Sequence, residues 1–366
     1  MTKNAYIHIP FCASKCKYCA FVSFDDKLHL QQEYFKSLFD EIEYCYNGEL
    51  LKTLYIGGGT PSLVESRFYK ELFARFNFEK GAEITLEVNP ATVNQQYLKE
   101  LFDIGINRLS IGVQSFDDDI LKIIGRRHTS EQAIETIEIA EKAGFKNISI
   151  DLIYGLPTQT IKQWHRTLEQ VAKLNISHIS TYGLKIEEGT YFYKNLPENL
   201  PEEDDCAQMY LDCIDMLKES GFHHYEISNF AKSGFESQHN ITYWKNSEYY
   251  GFGAAAHGYT NGQRYSNTTD FDLYLKNPLN RESVKTLSEV EKFEEEIFLG
   301  LRLAEGIELK NICKKYNYSY SNFENTIKKF AASTHLEEQN GKLYFSRHGF
   351  LVSNYILTEL LDCITK

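Results

Sequence analysis

The first half of the chain alternates between short strand-like segments and amphipathic helix-like segments. The strand-like segments are rich in Ile, Val, Leu, Tyr and Thr and end at turn residues, and they lie at 5–10, 53–56, 83–88, 108–113, 147–154 and 178–184. Apolar residues at helical spacing mark the segments between them, at 28–46, 66–76, 94–104, 131–143 and 161–174. Six such units in succession predict a parallel sheet with right-handed crossovers. Two folds fit this alternation, a doubly wound sheet and a (β/α) barrel.

Polar residues at the ends of successive strands decide between these two folds. Such residues stand at or near the C-terminal ends of four predicted strands, at Asn89, Gln114, Asp151 and Tyr182. Barrel sites are built from the ends of several strands, whereas a doubly wound sheet concentrates its site near one switch point. The sequence therefore predicts an α/β fold, a partial TIM-like barrel of (β/α)6 type.

The pattern changes twice after the predicted barrel. A Pro/Glu/Asp-rich linker at 196–205 precedes a helix at 206–220, and an irregular region rich in glycine and histidine follows to about residue 262. Helical segments at 291–302, 309–316 and 321–330 then precede the strand-like KLYFS and a last helix. We predict three domains: the partial barrel at 1–200, a barrel extension at 201–286, and a small helical, winged-helix-like C-terminal domain at 287–366.

The net charge and the hydropathy of the chain argue against a nucleic-acid partner and a membrane span. The chain has 39 Lys and Arg against 51 Asp and Glu, a formal net charge of −12, and no basic patch is large enough to neutralise a nucleic-acid backbone. The apolar stretch at 5–11 is too short for a signal peptide and contains His8 and Pro10. No run approaches the ~18 apolar residues that span a bilayer. We expect a cytoplasmic protein with no nucleic-acid partner and no membrane span.

Three of the eight cysteines form a cluster in the sequence. Cys12, Cys16 and Cys19 stand in a C-x3-C-x2-C arrangement directly after the first predicted strand. Thiolates are the usual protein ligands of iron–sulfur clusters, and three ligands for four irons leave one iron open to a chelating, amino-acid-like cofactor. Structural zinc needs four ligands; no second cysteine pair follows, although His8 is a candidate fourth ligand. The spacing favours an iron–sulfur cluster over zinc.

Around these cysteines the sequence resembles the radical S-adenosylmethionine (SAM) proteins. C-x3-C-x2-C with Tyr18 before the last cysteine is similar to the signature of that superfamily, and YIGGGTPS at 55–62 is similar to its glycine-rich segment. Glycines let a ligand approach the main chain closely. The resemblance implies a 4Fe–4S cluster held by the three cysteines, with SAM bound beside the glycines.

A narrower resemblance covers essentially the whole chain. The sequence resembles the oxygen-independent coproporphyrinogen III oxidases and their relatives, the HemW-type heme chaperones, in YIHIPFC, YIGGGTPS, LEVNP, RLSIGVQSF, SIDLIYGLP, HISTYGLKIEEGT, HNITYW and the C-terminal domain. The residues that this resemblance places around SAM are Tyr6, Tyr18, Gly58, Gly59, Thr60, Glu87, Gln114, Arg126, Asp151 and Gly183. Glu87 and Gln114 are implied to bond the ribose. Arg126, or its neighbour Arg127, is implied to pair with the carboxylate.

Two departures from the oxidase pattern favour the chaperones. The cysteine pattern of the oxidases is C-x3-C-x2-C-x-C, and in this sequence Phe21 stands at the position of the fourth cysteine. They also carry an arm of several tens of residues ahead of the cluster, for which a first ligand at Cys12 leaves no room. HNITYW resembles the H-N-x-x-Y-W motif of the chaperones and implies His239 as an axial heme ligand, with Tyr243 and Trp244 against the porphyrin. The competing histidines are His257, His223 and His224.

Three functions remain, in decreasing order of preference. The first is a heme chaperone that binds the cluster, SAM and heme and passes heme to an acceptor protein. The second is an oxygen-independent coproporphyrinogen III oxidase (dehydrogenase) that uses a 5′-deoxyadenosyl radical. The third is a radical enzyme acting on an unrelated substrate. The resemblance is also compatible with a homodimer.

Overall fold

A nine-stranded sheet forms the centre of the protein. In this computed structural model, which describes residues 2–364, six of its strands run parallel and neighbour one another in chain order: β1 (Asn4–Ile9), β2 (Leu50–Gly58), β3 (Asn77–Val88), β4 (Arg108–Gln114), β5 (Asn147–Tyr154) and β6 (His178–Gly183). Their inward-facing apolar residues are buried, as continuous Ile/Leu/Val runs in a parallel sheet require. The two outermost strands do not pair with each other within residues 2–364, so the predicted partial barrel is confirmed as an open one.

Helices return the chain between these strands and cover the sheet. They are α1 (Gln31–Cys45), α2 (Ser66–Phe73), α3 (Gln95–Ile104), α4 (Asp118–Ile123), α5 (Ser130–Ala143) and α6 (Ile161–Val171). Thr129 and Gln132 form a capping box at the start of α5. Gly105 and Gly144 end α3 and α5 with φ of 118° and 113°, a left-handed conformation that favours glycine. Local sequence signals therefore fix the ends of these helices where the predicted pattern placed them.

Segment 201–286 is more regular than the sequence predicted. After α7 (Tyr191–Lys194), the chain forms α8 (Glu203–Glu219), β7 (His223–Glu226), β8 (Asn229–Ala231), α9 (Gln238–Trp244), β9 (Tyr250–Phe252), β10 (His257–Thr260), β11 (Gln263–Asn267), α10 (Phe271–Lys276) and β12 (Arg281–Thr286). The prediction of an irregular region to residue 262 was wrong, because strands this short show no readable periodicity. β8 pairs with β6, β7 with β8, and β9 with β1. The segment thus supplies both edges of the sheet.

The C-terminal region has a hydrophobic core of its own. Its elements are α11 (Glu289–Gly300), α12 (Leu309–Tyr316), α13 (Glu324–Ala332), β13 (Leu336–Gln339), β14 (Lys342–Phe345), α14 (Arg347–Leu351) and α15 (Ser353–Leu361). The antiparallel pair β13 and β14 forms the predicted wing. Tyr210 of α8 packs into this second core. Residues 1 and 366, the outer bounds of the predicted domains, lie outside the described residues. No helix within residues 2–364 is long and apolar enough to cross a membrane.

Candidate functional site

A cavity of about 320 Å³ opens at the C-terminal ends of the parallel strands. The predicted residues that line it are Cys12, Cys16, Tyr18, Cys19, Gly58, Gly59, Thr60, Glu87, Gln114, Arg126, Asp151 and Gly183. These residues come from the loop after β1, the ends of β2 to β6 and the segment after α4. Parallel strands bring their C-terminal ends to one edge of a sheet. Residues spread over 172 positions of sequence therefore meet at one place.

The loop that carries the three cysteines is held at its start and in its middle by backbone hydrogen bonds. Cys12 N donates to the carbonyl of Phe24 at 3.0 Å, and Lys17 N donates to the carbonyl of Ile124 at 3.1 Å. Burial raises the pKa of the Cys19 thiol to about 11. Binding of a metal by this residue as a thiolate releases its proton.

The placement of the three cysteines around one cavity agrees with a cluster. No three His, Cys, Asp or Glu side chains in the described part of the chain converge closely enough to hold a single metal ion. The thiolates of a 4Fe–4S cluster bind different irons, so they stand farther apart than the ligands of one ion. Cys12, Cys16 and Cys19 lie around a common cavity and fit that arrangement.

The glycine-rich segment lies against the start of the cysteine loop. Gly59 N donates to the carbonyl of Ile9 at 2.8 Å, and Thr60 N donates to that of Phe11 at 2.6 Å. A Cβ on Gly59 would come 2.6 Å from the carbonyl oxygen of Phe11, and a Cβ on Gly58 would come 2.7 Å from the imidazole of His8. Both positions therefore require glycine, and they leave the segment's backbone facing the cavity.

Arg126 is the arginine that faces the cavity. Its Nη2 donates to Asn89 Oδ1 at 2.7 Å and to the carbonyl of Gly112, and its Nη1 lies 3.5 Å from Cys16 Sγ. Its Nε is buried and has no partner within residues 2–364. Arg127 is exposed and does not line this cavity. An unpaired guanidinium N–H beside the cysteines is suited to a carboxylate.

Two carboxyl groups stand on neighbouring parts of the cavity wall. Glu87 accepts hydrogen bonds from Tyr55 Oη at 2.9 Å and from Gly58 N at 3.0 Å. Burial, and then the nearby Asp151, raise the pKa of Glu87 to about 7. Asp151 accepts from Ser110 Oγ at 3.1 Å, and burial raises its pKa as well. Near neutral pH, Glu87 is therefore available both as a donor and as an acceptor.

Gln114 reaches the cavity through a distortion of β4. The pairing of β4 with β5 shifts register between Gly112 and Gln114, and Gln114 has a φ of 69°, which is uncommon for a residue with a side chain. Strained backbone of this kind persists at binding sites because the surrounding structure fixes it. The bulge places the Gln114 amide on the cavity wall.

Tyr6 lies behind the cavity wall and does not line the cavity. Its hydroxyl is 3.0 Å from His8 Nδ1, and its ring stacks on Tyr55 at 6.2 Å between centroids. Tyr55 does line the cavity, and the sequence reasoning missed it. The missed signal was strand alternation: Tyr55 and Gly57 stand on one face of β2, two residues apart.

His239 is buried inside the protein and is 1% exposed. Its Nδ1 is 2.8 Å from Thr53 Oγ1, its Nε2 is 2.7 Å from Tyr243 Oη, and its ring stacks on Tyr55 at 5.2 Å. It does not line the cavity, and neither ring nitrogen is open to an external ligand. An axial bond to heme would require both hydrogen bonds to break and α9 to move. The heme-ligand role of His239 therefore stays a prediction. Of the competing histidines, His257 and His223 are exposed and His224 is half-buried.

Family models and a solved structure show the class to which this protein belongs. Residues 6–171 match the family model of the Radical SAM superfamily, and residues 287–352 match that of the HemN C-terminal domain. The fold is also that of the Escherichia coli coproporphyrinogen III oxidase HemN, described as a radical SAM enzyme, with a TM-score of 0.85 at 22% identity over 98% of this chain and 89% of that one. The protein is of the radical SAM class, as predicted.

Sequence relatives then give the particular family. Two proteins named heme chaperone HemW are similar over nearly their whole lengths: that of Lactococcus lactis is 37% identical over 98% of this chain and 97% of its own, and that of Bacillus subtilis 36% over 98% and 99%. The heme chaperone HemW of Escherichia coli is 37% identical over 70% of this chain and 69% of its own. The chain belongs to the HemW family.

The cavity fits the two cofactors of the radical SAM class, a 4Fe–4S cluster and SAM. Three thiols line it, and no fourth cysteine does so within residues 2–364. A glycine segment that admits no Cβ presents its backbone, and the buried Nε of Arg126 lacks a partner within the described residues. Thiols suit iron, and a guanidinium and carboxyl groups suit the charged and hydroxyl groups of SAM. The residues present therefore agree with both groups.

Proposed function

We propose that this protein is a heme chaperone, which binds heme and passes it to an acceptor protein in the cytoplasm. The observation that carries the proposal is the end-to-end similarity to proteins named heme chaperone HemW, at 37% identity over 98% of this chain. Phe21, at the position of the fourth cysteine of the oxidase pattern, supports the same choice. The eight cysteines are all free thiols, in keeping with a reducing compartment.

In this proposal the cavity residues hold the two cofactors. Cys12, Cys16 and Cys19 bind the cluster, which together with SAM supplies one-electron chemistry when both are bound. The residues that position SAM are those that line the same cavity: Tyr18, Gly58, Gly59, Thr60, Glu87, Gln114, Arg126, Asp151 and Gly183. Arg126 pairs with the carboxylate because its Nε has no other partner within residues 2–364. Glu87 bonds the ribose hydroxyls, since a carboxyl group with a pKa of about 7 can both donate and accept.

The three predicted domains carry separate parts of this function. Residues 1–200 hold the cluster and SAM, and 201–286 carry the HNITYW motif and both edges of the sheet. Residues 287–366 supply a contact for the heme acceptor. A homodimer is part of the proposal, and sedimentation of the cluster-loaded protein tests it.

The test is a heme titration of anaerobically reconstituted protein, followed by transfer. Saturable growth of the Soret band to one heme per chain is expected, as is loss of that heme to an added apo-hemoprotein such as apomyoglobin. The same preparation is given coproporphyrinogen III, SAM and a reductant, and no decarboxylated product is expected.

Two results would overturn the proposal. Reconstituted protein that binds no heme at micromolar concentration is not a heme chaperone. Turnover of coproporphyrinogen without stoichiometric heme binding would identify an oxidase, despite Phe21.

A further inference from the structure

The mouth of the cavity carries exposed aromatic rings that the cluster and SAM residues do not account for. Phe21 is 64% exposed and Tyr182 is 43% exposed, and both line the cavity. Large exposed rings beside a cavity mark a place where an apolar surface of a ligand or partner is expected.

Each of the two segments that carry these rings also contributes a lysine to the same cavity. The cysteine loop contributes Lys15 with Phe21, and the end of β6 contributes Tyr182 with Lys185. Lys15 makes no ion pair within residues 2–364. Lys185 pairs with Glu187 at 2.6 Å, but both side chains are exposed, at 79% and 43%, so water and ions compete with this pair. The mouth therefore presents one ring and one available ammonium group on each of two sides.

The charge at the mouth differs from that of the whole chain. The chain has a net charge of −12, yet the rim residues Lys15 and Lys185 are cationic. The two carboxyl groups of the cavity, Glu87 and Asp151, belong to strands β3 and β5 and not to the rim. A planar apolar ligand with carboxylates at its edge matches this arrangement.

Helix α7 extends the same surface. Tyr191 is 54% exposed, and the ammonium group of Lys17 lies 5.6 Å from the centre of its ring. Phe192 N donates to the carbonyl of Lys17 at 3.0 Å, which ties α7 to the cysteine loop. Rings and lysines thus continue beyond the residues that line the cavity.

We propose that Lys15, Phe21, Tyr182 and Lys185 form a rim that binds a porphyrin dicarboxylate, heme in the proposed function, on which this inference rests. The two rings pack against the macrocycle, and the two ammonium groups pair with the propionates. No histidine lines the cavity within the described residues, so the rim recognises the macrocycle and not the iron. Heme held this way keeps its iron free for an acceptor's ligand.

The discriminating experiment compares heme with iron-free protoporphyrin IX and with protoporphyrin IX dimethyl ester. Binding to the cluster-loaded protein is followed by the Soret band and by porphyrin fluorescence. Heme and protoporphyrin are expected to bind within about threefold of each other, and the ester about tenfold more weakly. An axial histidine would instead make heme bind far more tightly than the iron-free ring.

Variants of the rim test the same assignment. Phe21→Ala and Tyr182→Ala are each expected to weaken protoporphyrin binding about tenfold. The double variant Lys15→Ala/Lys185→Ala is expected to weaken the diacid but not the ester. Matched controls are Tyr44→Ala, an exposed ring on α1, and Lys142→Ala, an exposed lysine on α5. All four rim side chains are exposed, so folding and iron content should be unchanged.

The outcomes separate this inference from the proposed function. If His239→Gln abolishes heme binding while the rim variants bind normally, the rim is the wrong site and the chaperone proposal stands. If the rim variants weaken the binding of all three porphyrins only as much as the two control variants do, the effect is nonspecific and the rim is likewise rejected. If wild-type protein binds no porphyrin, the proposed function itself fails.

Discussion

Replacing Gly59 with alanine should separate the glycine segment from the cysteine loop. A Cβ there would lie 2.6 Å from the carbonyl oxygen of Phe11, whereas ordinary contact begins at 3.4 Å, so the two backbones must part by about 0.8 Å. The obstacle is backbone on both sides, which no rotamer change can relieve. The hydrogen bonds from Gly59 N to Ile9 and from Thr60 N to Phe11 lengthen as a result. At roughly 0.5–1.5 kcal/mol each, their weakening costs about 1–3 kcal/mol of the free energy of unfolding.

The displaced Phe11 carbonyl belongs to the residue before Cys12, so cluster assembly should suffer as well. Iron and sulfide content after anaerobic reconstitution should fall well below the wild-type values, and chemical denaturation should give the stability loss. Gly81→Ala is the control: it has a φ of 82° but nothing within 4 Å, so it should cost about 1–2 kcal/mol of backbone strain and leave the iron content unchanged. Wild-type iron content and an unchanged denaturation midpoint for Gly59→Ala would refute the argument.

Three further predictions follow from the site. Tyr55→Phe removes the hydroxyl that donates to Glu87 and should weaken SAM binding three- to tenfold by equilibrium dialysis, with iron content unchanged. Arg126→Lys keeps the charge but loses the planar fork and should weaken SAM binding at least tenfold in the same assay. Burial lowers the pKa of His239 to about 3. Below pH 6.5 this residue therefore binds a proton in the unfolded state but not in the folded state, so the free energy of unfolding decreases as the pH is lowered. His239→Gln, less stable at pH 7.5, should therefore regain about 1.4 kcal/mol relative to wild type at pH 5.5 in denaturant titrations.

Each of these variants has its own contradicting result. Unchanged SAM affinity in Tyr55→Phe would mean that Glu87 does not contact SAM. A parallel pH dependence of wild type and His239→Gln would mean that His239 is protonated in the folded state.

Much of the fold could be read from the sequence because parallel strands and their helices carry strong local signals. β5 has the predicted bounds, Asn147–Tyr154, and the predicted helical segments at 94–104 and 131–143 agree to within one residue with α3 and α5. β3 begins six residues earlier than predicted, at Asn77: Asn77 and Phe78 pair with Leu50 and Leu51, and the pairing resumes at Glu83 after a register shift, so this stretch has no alternating pattern to read. The short strands of 223–267 were missed for the same reason: pairing, not propensity, makes them strands.

The candidate site was predictable where a motif fixes the backbone and not where packing fixes a side chain. The cysteine spacing and the glycine segment specify a loop and a close approach, and both lie at the cavity. Tyr55 could not be found from a motif, because a residue within a strand reaches the cavity only if its side chain lies on the face of the sheet that borders the cavity. The choice between Arg126 and Arg127 likewise could not be made from the sequence. The turn after α4 directs the guanidinium of Arg126 toward Asn89 and places that of Arg127 outside the cavity, exposed and 3.4 Å from the carbonyl of Ala13.

The burial of His239 changes what a mutation in HNITYW can show. The imidazole stacks on Tyr55, Tyr55 donates to Glu87, and Glu87 accepts from Gly58 N. His239 N also donates to Glu83 Oε1 at 2.9 Å, which anchors α9 under the barrel. Removing the imidazole therefore disturbs the cavity wall through direct contacts, so a loss of heme binding in that variant would not by itself identify an iron ligand. Only the comparison of heme with the iron-free ring separates a bond to iron from support of the site, because support acts on both macrocycles alike.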